Sequence, residues 1–383
     1  MKILLVKLSS LGDLVHTLPV VQDIVWALPG AQVDWVVEKS FAPLLHPLQL
    51  PGGGLRRVIA CELRRWRHSL VSSVASGAWG RFKAELQDER YDAVIDLQGL
   101  SKSALVAWMA RLAPDGKRFA MANQTDGSSF EVLTRWVANT AIRMEPHSHA
   151  VQRGRALAAQ ALGYTVPDGI DFGLNMRAAQ LEWAQTDPEI IASDVGFARV
   201  ALVHGTSRAD KQWPVACWIE LGERLNAAGF EVVLPHGSVD EYSTSHIIAR
   251  ALNDFDDGAP GARVLPVQPL DALTHELAGC AGVIGVDSGV SHIAVALDVP
   301  HVQIYNFDTA WRTGPPEVSS RVIAEGRRQL SVFAQPFPEV DAVWQAWLAC
   351  ALAGEVIDGE GNSVQQALAA FHPDFADTQP TIS

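Results

Sequence analysis

Val283-Ile284-Gly285-Val286-Asp287-Ser288-Gly289-Val290-Ser291-His292 begins with the pattern of a buried strand and ends with that of a helix. The strand breaks at Asp287, and the helical pattern runs on to Leu297. A helix that begins at such a turn presents unpaired backbone N–H groups and the positive end of its dipole. Small residues there let a phosphate approach closely. Taken alone, the segment fits a capped helix with an internally bonded histidine more simply, so an anion site depends on residues elsewhere.

Length and composition predict a folded protein of two domains. A chain of 383 residues exceeds what one ordinary core serves, and 48% hydrophobic with 19% charged residues is typical of globular proteins. The net charge of −13 argues against general nucleic-acid binding, although it leaves room for a local basic patch. The four cysteines lie far apart, which indicates neither a disulfide framework nor a zinc site and fits a reducing cytoplasm: Cys61, Cys217, Cys280 and Cys350.

The N-terminal apolar run does not form a signal peptide. Lys7 and then Asp13 interrupt it, and no small-residue cleavage site follows. No apolar stretch approaches the length of a membrane span. The sequence therefore predicts a cytoplasmic protein whose contact with any membrane is peripheral.

Strands and helices alternate along two successive segments, which predicts parallel α/β sheets built from right-handed βαβ units. We expect one Rossmann-like domain over residues 1–175, a second over 196–354, and a partly frayed extension over 355–383. The regular pattern fades between Gly163 and Phe197, apart from one isolated helical piece, and we place the domain junction there. The strands are predicted at Ile3–Leu8, Val33–Val37, Arg57–Ala60, Ala93–Asp96, Lys117–Met121, Val200–His204, Glu231–Pro235, Val264–Pro266, Val283–Val286 and Val302–Tyr305. A helix is predicted from Ser101 to Leu112.

The candidate polar residues all follow predicted strands. Open α/β sheets bind ligands beyond the carboxyl ends of their strands, so two such sheets predict a cleft between two of these edges. Asp13 follows the first strand, and Gln98 follows the central strand of the first half. Lys211 and the segment Ser288–His292 follow strands of the second half. That all of these polar residues follow predicted strands is stronger evidence for a ligand site than any single motif.

The segment Ser9-Ser10-Leu11-Gly12-Asp13 matches neither a Walker loop nor a dinucleotide fingerprint. Gly12 permits a tight turn, and Asp13 is presented at the start of a helix. An N-cap aspartate and a catalytic carboxylate are about equally good interpretations. The helix N-terminus would lower the pKa of Asp13, which favours a carboxylate that can accept a proton.

The segment His204–Pro214 is more specific, because hydroxyl residues and cations follow a strand before Trp-Pro opens a helix. Thr206, Ser207 and Lys211 suit a diphosphate, whereas a solvated charged loop is the weaker interpretation. Glu241 follows the next strand. It could bind a ribose hydroxyl or be an ordinary acid in the first turn of a helix.

Five blocks of the chain resemble matching blocks of the lipopolysaccharide core heptosyltransferases, glycosyltransferase family 9. The blocks are Lys7–Pro19, Leu63–Arg67, Asp92–Ser103, His204–Pro214 and Val286–Leu297. They are spread over both halves, and the arginine block favours the type I enzymes over type II. This block does not match a helical core pattern, so we expect it in a loop that Trp66 anchors by burial. The departures are modest: Ser288 stands where threonine is common, His68 replaces a lysine, and residues 52–54 and 254–261 look like exposed insertions.

The resemblance implies a GT-B fold, with two Rossmann-like domains facing across a cleft, and inverting transfer without a metal or other cofactor. The implied donor is ADP-L-glycero-β-D-manno-heptose, and the implied acceptor is a Kdo residue of Kdo-lipid A, at the cytoplasmic face of the inner membrane. Carried over by position, Asp13 is the general base, and Lys211 with the amides of Ser288 and Gly289 holds the diphosphate. The implied donor site is completed by Thr206, Ser207, Glu241, Asp287 and His292, and the acceptor site by Ser10, Gly12, Arg64, Arg65, Arg67 and Gln98.

The expected chemistry is a single displacement at the anomeric carbon. The acceptor hydroxyl attacks from the face opposite ADP while Asp13 takes its proton. Lys211 and a helix N-terminus stabilise the leaving diphosphate, and the arginines bind acceptor anions. The alternatives are a type II or later-core heptosyltransferase, a nucleotide-sugar epimerase or hydrolase, and a non-catalytic sugar-nucleotide binding protein.

Overall fold

The computed structural model describes residues 1–68, 77–174, 197–254, 260–316, 322–323 and 326–353. The chain divides into two compact units, Met1–Leu174 and Asn175–Ser383. The isolated helical piece expected between Gly163 and Phe197 falls within 175–196, which lies outside the described residues. So does the extension over 355–383. The limits given above for the two domains therefore stay predictions.

The first unit is built on a six-stranded sheet in which each neighbouring pair is parallel. Its strands follow the order β3-β2-β1-β4-β5-β6. The central strands are continuous apolar runs, as expected where helices cover both faces of a parallel sheet. The strands are β1 Lys2–Val6, β2 Gln32–Glu38, β3 Leu55–Cys61, β4 Arg90–Asp96, β5 Arg111–Met121 and β6 Thr140–Ile142.

Helices connect these strands. The connection between β2 and β3 also contains a 3-10 segment at Lys39–Leu45. The α-helices are α1 Leu11–Val15, α2 Leu18–Ala27, α3 His46–Gln49, α4 Leu63–His68, α5 Ala78–Leu86, α6 Ser101–Met109, α7 Leu133–Val137 and α8 Ala150–Leu162.

The second unit repeats this plan. Its main sheet has the order β14-β11-β10-β7-β8-β9, again with parallel neighbours, and a short antiparallel pair, β12 with β13, stands apart. The strands are β7 Arg199–Val203, β8 Glu231–Leu234, β9 Ala262–Val264, β10 Gly282–Val286, β11 His301–Tyr305, β12 Val322–Ile323, β13 Gly326–Arg327 and β14 Gln329–Phe333.

The helices of the second unit pack around this sheet, and a 3-10 turn at Ala209–Lys211 follows its first strand. They are α9 Val215–Ala227, α10 Val239–Asn253, α11 Leu270–Ala278, α12 Gly289–Ala296, α13 Ala310–Thr313 and α14 Val340–Ala353. Among the described helices, none combines the length and the apolar character needed to cross a membrane.

Each sheet has one point at which the strand order reverses direction. It lies between β1 and β4 in the first unit and between β7 and β10 in the second. At such a switch point the connections leave in opposite directions, which opens a crevice at the carboxyl ends of the two strands. The segments after these four strands are therefore the places where a ligand is expected.

The expected α/β class with two parallel sheets is confirmed. Two details of the prediction are wrong. The arginine cluster was expected in a loop, but it lies in α4, because Trp66 is a single buried residue in the described part of that helix and leaves no helical repeat. The helix expected from Ser101 to Leu112 ends at Met109, and Arg111 already begins β5.

Candidate functional site

Asp13 lies in the first turn of α1, directly beyond the carboxyl end of β1. Ser10 is the N-cap residue, and both its backbone N–H and its hydroxyl donate to one carboxylate oxygen of Asp13, at 3.2 and 3.0 Å. Asp13 is thus the third helical residue and not the cap itself. Gly12 also lies inside α1, so the tight turn expected at this glycine is wrong.

Lys7 is the cation that faces Asp13. Its ammonium group lies 3.5 Å from the free carboxylate oxygen, and the side chain is buried, whereas that of Asp13 is 40% exposed. Burial alone would raise the pKa of Asp13, but the charge of Lys7 and the hydrogen bonds from Ser10 outweigh it and lower this pKa. Asp13 is therefore ionised at neutral pH, as a proton acceptor must be. Its role as a base stays a prediction.

Gln98 connects the two sides of the first switch point. Its carbonyl oxygen accepts from the backbone N–H groups of Leu8 and Ser9, at 2.7 and 3.2 Å, and its amide nitrogen donates to the carbonyl of Ser9 at 2.6 Å. The buried carboxylate of Asp96 fixes the same turn by accepting from the N–H groups of Gln98 and Gly99. The amide of Gln98 thus holds the β1–α1 backbone, a task that the sequence did not reveal.

The arginine cluster follows β3, two strands from β1 in the sheet. Trp66 anchors α4 in the core, where its ring meets those of Trp79 and Phe82 at centroid distances of 5.4 and 5.3 Å. The side chain of Arg65 is 76% exposed and lies 3.4 Å from Glu62. The side chains of the other two candidates lie outside the described residues: Arg64 and Arg67.

At the second switch point, Lys211, Asp287 and His292 form one connected group. The ammonium group of Lys211 forms an ion pair with one carboxylate oxygen of Asp287. The ring Nε2 of His292 lies 3.4 Å from the other oxygen. Gln303 approaches the opposite ring nitrogen of His292 at 3.3 Å, which holds the imidazole in this orientation. The structure thus joins a residue after β7 to two residues after β10.

Burial works against the charge of Asp287, and its neighbours reverse that effect. Desolvation would raise the pKa of Asp287, but the hydrogen bond and charge of His292 and the charge of Lys211 lower it far below the usual range of an aspartate. Asp287 is therefore a fixed negative charge that orients a lysine. The carboxylate of Asp287 would itself repel a phosphate. It can favour an anionic ligand only by holding Lys211 in place.

The start of α12 has the form of an anion site. Ser288 is the N-cap, and its hydroxyl accepts from the N–H of Ser291 at 3.4 Å. The next amide, that of Gly289, belongs to the first turn, whose N–H groups have no carbonyl partner within the helix. Thr206 approaches the carbonyl of Asp287 at 3.5 Å, and Ser207 is exposed beside it in the chain.

Glu241 lies in the first turn of α10, and its carboxylate accepts from the N–H of Gly237 at 2.7 Å. A Cβ atom at Gly205 would lie 2.6 Å from this carboxylate, so a larger residue there would displace the side chain of Glu241. Near Glu241 a pocket of about 640 Å³ opens beyond β8 and β9. It is lined by His236, Gly237, Ser238, Val239, Tyr242, His246 and the segment 264–267.

Asn306 is a residue that the sequence did not single out. It follows β11, is buried, and donates from its side-chain amide to the carbonyls of Asp210 and Gln212, at 3.1 and 2.8 Å. These carbonyls flank Lys211. Nothing in the local sequence signals this role, because the partners lie more than 90 residues away along the chain.

The structure therefore gathers ten of the fifteen predicted site residues into two groups, one at the switch point of each sheet, and Ser207, Glu241 and the arginines of α4 are not among them. The first contains Ser10, Gly12, Asp13 and Gln98, and the second contains Thr206, Lys211, Asp287, Ser288, Gly289 and His292. Across the ranges that the structure describes, no three or more His, Cys, Asp or Glu side chains form a group that could hold a metal ion.

The sequence model of glycosyltransferase family 9 (heptosyltransferase) matches residues 79–336. The chain belongs to glycosyltransferase family 9. It is accordingly a glycosyltransferase. The match to the family model covers the second half of the first unit and most of the second unit. The matched range contains the whole Lys211–Asp287–His292 group, while Asp13 and the arginine cluster precede it.

Three curated lipopolysaccharide heptosyltransferases resemble the chain over most of its length. Lipopolysaccharide heptosyltransferase 1 of Pseudomonas aeruginosa is 39% identical over 308 residues, which are 80% of this chain and 78% of that protein. The protein of the same name from Escherichia coli K12 is 37% identical, over 80% and 88%. Lipopolysaccharide heptosyltransferase 2 of Salmonella typhimurium is only 24% identical, over 84% of this chain and 88% of that protein. The similarity thus favours type 1.

A solved family 9 structure shows the same architecture. The E. coli heptosyltransferase WaaC with ADP aligns with a TM-score of 0.72 and 32% identity, covering 90% of this chain and 98% of that one. ADP-heptose LPS heptosyltransferase II of E. coli aligns with a TM-score of 0.64 at 21% identity, which supports the shared fold alone.

Proposed function

We propose that this chain transfers L-glycero-D-manno-heptose from ADP-heptose to a Kdo residue of Kdo-lipid A, in the assembly of the lipopolysaccharide inner core. The observation that carries the proposal is the Lys211–Asp287–His292 group at a switch point, in a chain 39% identical to a lipopolysaccharide heptosyltransferase 1. The related WaaC structure holds ADP, and a diphosphate is the ligand that a half-buried lysine beside a helix N-terminus would bind.

The donor is proposed to bind along the second unit. Lys211 and the amides after Ser288 face the diphosphate, with Thr206 and Ser207 beside them. The carboxylate of Glu241 accepts a hydrogen bond from a ribose hydroxyl. The adenine enters the pocket of about 640 Å³ lined by Tyr242 and its neighbours. A pocket of this volume, with an aromatic ring and apolar walls, suits a nucleobase.

In the proposed reaction, the acceptor hydroxyl attacks the anomeric carbon of heptose as the bond from that carbon to the diphosphate breaks, with inversion. Asp13, held ionised by Lys7, takes the hydroxyl proton. ADP leaves with the electrons of the broken bond. Its new negative charge is stabilised by the ammonium group of Lys211 and the first-turn amides of α12.

The acceptor is proposed to bind the first unit at the cytoplasmic face of the inner membrane. Arg64, Arg65 and Arg67 on α4 face its phosphates and carboxylates, for which the guanidinium fork is well matched. Ser10 and Gly12 at the start of α1 contribute to the same site. Gln98 supports this site indirectly, by accepting hydrogen bonds from the backbone N–H groups of Leu8 and Ser9.

Turnover is proposed to need no metal ion, because Lys211 supplies the cation at the diphosphate. The enzyme should then keep its full rate in EDTA. Strict dependence on added magnesium would contradict the role given to Lys211.

The decisive experiment measures ADP release from ADP-heptose with and without Kdo-lipid A. A transferase releases ADP only with the acceptor and forms a heptosylated lipid. A hydrolase would release ADP and free heptose without the acceptor, and a binding protein would release neither. A type II enzyme would require an acceptor that already carries heptose.

A further inference from the structure

Two contacting helices of the first unit expose large apolar side chains together. Trp108 on α6 is 63% exposed and Trp136 on α7 is 81% exposed, and these helices pack against each other. Leu105 lies one turn before Trp108, and Leu133 one turn before Trp136, and both are also exposed. Because residues three apart share a helix face, each helix contributes one leucine–tryptophan pair. We name these four side chains the tryptophan face.

Exposed arginines border this face. Arg111 lies three residues after Trp108, and Arg135 directly precedes Trp136; both are exposed. Neither forms an ion pair within the described part of the chain. The nearby carboxylate of Glu131 accepts from the backbone N–H of Ser101 at 2.7 Å and stays negatively charged, so two arginines are set against one acid. The border of the tryptophan face is thus locally basic in a protein of net charge −13.

We propose that the tryptophan face docks on the surface of an anionic phospholipid bilayer. Tryptophan rings are enriched at the headgroup level of membranes, where one part of the ring is dry and the N–H is wet. Arginines beside them attract anionic lipids through the negative surface potential. The proposal extends the proposed function, whose acceptor is a lipid, but it rests on exposed residues outside the candidate site.

The charge pattern selects a bilayer over a second copy of this chain as the occupant. An isologous dimer through this face would bring Arg111 and Arg135 against the same arginines of the other copy. Their mutual repulsion would oppose association. A bilayer that contains phosphatidylglycerol instead offers anionic headgroups to the arginines and an interface for the rings.

The experiment is flotation of the full chain with vesicles of phosphatidylcholine and phosphatidylglycerol, compared with phosphatidylcholine alone. The wild type should float with the anionic vesicles. Trp108→Ser with Trp136→Ser should weaken this binding by at least about tenfold, and Arg111→Gln with Arg135→Gln should abolish the preference for the anionic lipid. Because all four side chains are exposed, the variants should keep the wild-type melting temperature.

A matched control is Trp26→Ser, since Trp26 on α2 is 70% exposed but has neither a second tryptophan nor arginines beside it in the sequence. It should float like the wild type. Equal binding by the tryptophan double variant, or equal loss in the Trp26 variant, would overturn the proposal. So would self-association of the wild type, without vesicles, that the double variant loses.

A second readout separates this proposal from the proposed function. The tryptophan double variant should transfer heptose normally to a water-soluble Kdo acceptor that carries no lipid chains, and lose rate only with acceptor embedded in anionic vesicles. If the wild type binds vesicles through this face but transfers no heptose to any acceptor, the proposed function fails and the docking face stands. If the wild type and the tryptophan double variant transfer heptose equally well to acceptor embedded in anionic vesicles, the docking proposal fails and the proposed function stands.

Discussion

Asn306 holds the backbone on both sides of Lys211, through hydrogen bonds from one side-chain nitrogen to the carbonyls of Asp210 and Gln212. Asp287 holds the ammonium end of the same lysine. Lys211 is thus restrained at its backbone by one residue after β11 and at its charge by one residue after β10. A cation fixed at both ends does not need to reorganise as negative charge develops on a leaving group, which is the condition for electrostatic stabilisation of a transition state.

Asn306→Ala should therefore lower kcat by at least about tenfold, because a misplacement of about 1 Å in a catalytic group can cost on the order of a hundredfold. Asn306→Asp should be worse, since a carboxylate cannot donate to the two carbonyls and its negative charge would also repel their oxygens. Initial rates of ADP release at saturating substrates test this.

Asn226→Ala is the matched control for this prediction. The amide of Asn226 also donates to two backbone carbonyls, those of Phe230 and Gly261, but away from Lys211. It should destabilise the fold by a similar amount, about 1–3 kcal/mol for two hydrogen bonds, and leave kcat intact. An equal loss of kcat in both variants would show that Asn306 acts only on stability.

Asp13→Asn should abolish transfer and leave donor binding intact. A positioned general base contributes about 10²–10⁴-fold, while the donor residues lie in the other unit. Single-turnover rates and calorimetric titration with ADP separate the two effects. Transfer within roughly tenfold of the wild type would remove Asp13 from the role of base.

Lys7→Met should shift the acid limb of the kcat/KM profile to higher pH. Asp13 must be ionised to accept a proton, so activity is lost as pH falls through its pKa. In the wild type, the charge of Lys7, the hydrogen bonds from Ser10 and the charge of Arg153 together outweigh burial and keep this pKa low. Lys7 is the largest of these effects, so its removal should raise the pKa. Lys102→Met is a fitting control, because Lys102 donates to the nearby hydroxyl of Ser9 at 2.7 Å but is not the cation that faces Asp13. Superimposable profiles for all three proteins would contradict the role of Lys7.

The sequence predicted the strands and the residues that follow them, because strands buried on both faces are continuous apolar runs. It could not predict what those residues contact. The pairing of Lys211 with Asp287 follows from the strand order, which places β7 beside β10. Gln98 was expected to bind a ligand, yet its amide is engaged with the backbone of Leu8 and Ser9, 90 and 89 residues away. The order of the strands in the sheet determines such long-range contacts, so the local sequence pattern cannot predict them.

The second unit should lose stability as pH falls from about 6.5 to about 4. Burial lowers the pKa of both His204 and His301 to about 4, whereas an unfolded histidine titrates near about 6.5. Between these pH values the two histidines are protonated in the unfolded chain but stay neutral in the folded chain. The free energy of unfolding therefore decreases as the pH falls, by roughly 3 kcal/mol per histidine.

Thermal unfolding measured at several pH values checks this. His204→Gln and His301→Gln should each flatten the slope, whatever they do to the absolute stability. A slope that survives both buried substitutions would assign the pH dependence to other groups.

The arginines of α4 give the last prediction, for the acceptor. Arg64→Ala with Arg67→Ala should raise the acceptor KM by roughly a hundredfold or more and leave ADP binding unchanged, since each charge-assisted hydrogen bond contributes about 1.5–3 kcal/mol. Trp66 remains buried in both proteins, so α4 keeps its anchor. Lys83→Ala with Arg90→Ala removes two exposed charges, one on α5 and one at the amino end of β4, and should change neither constant. Added salt should weaken acceptor capture by the wild type more than by the α4 variant; an unchanged KM with equal salt dependence would assign acceptor binding to another part of the chain.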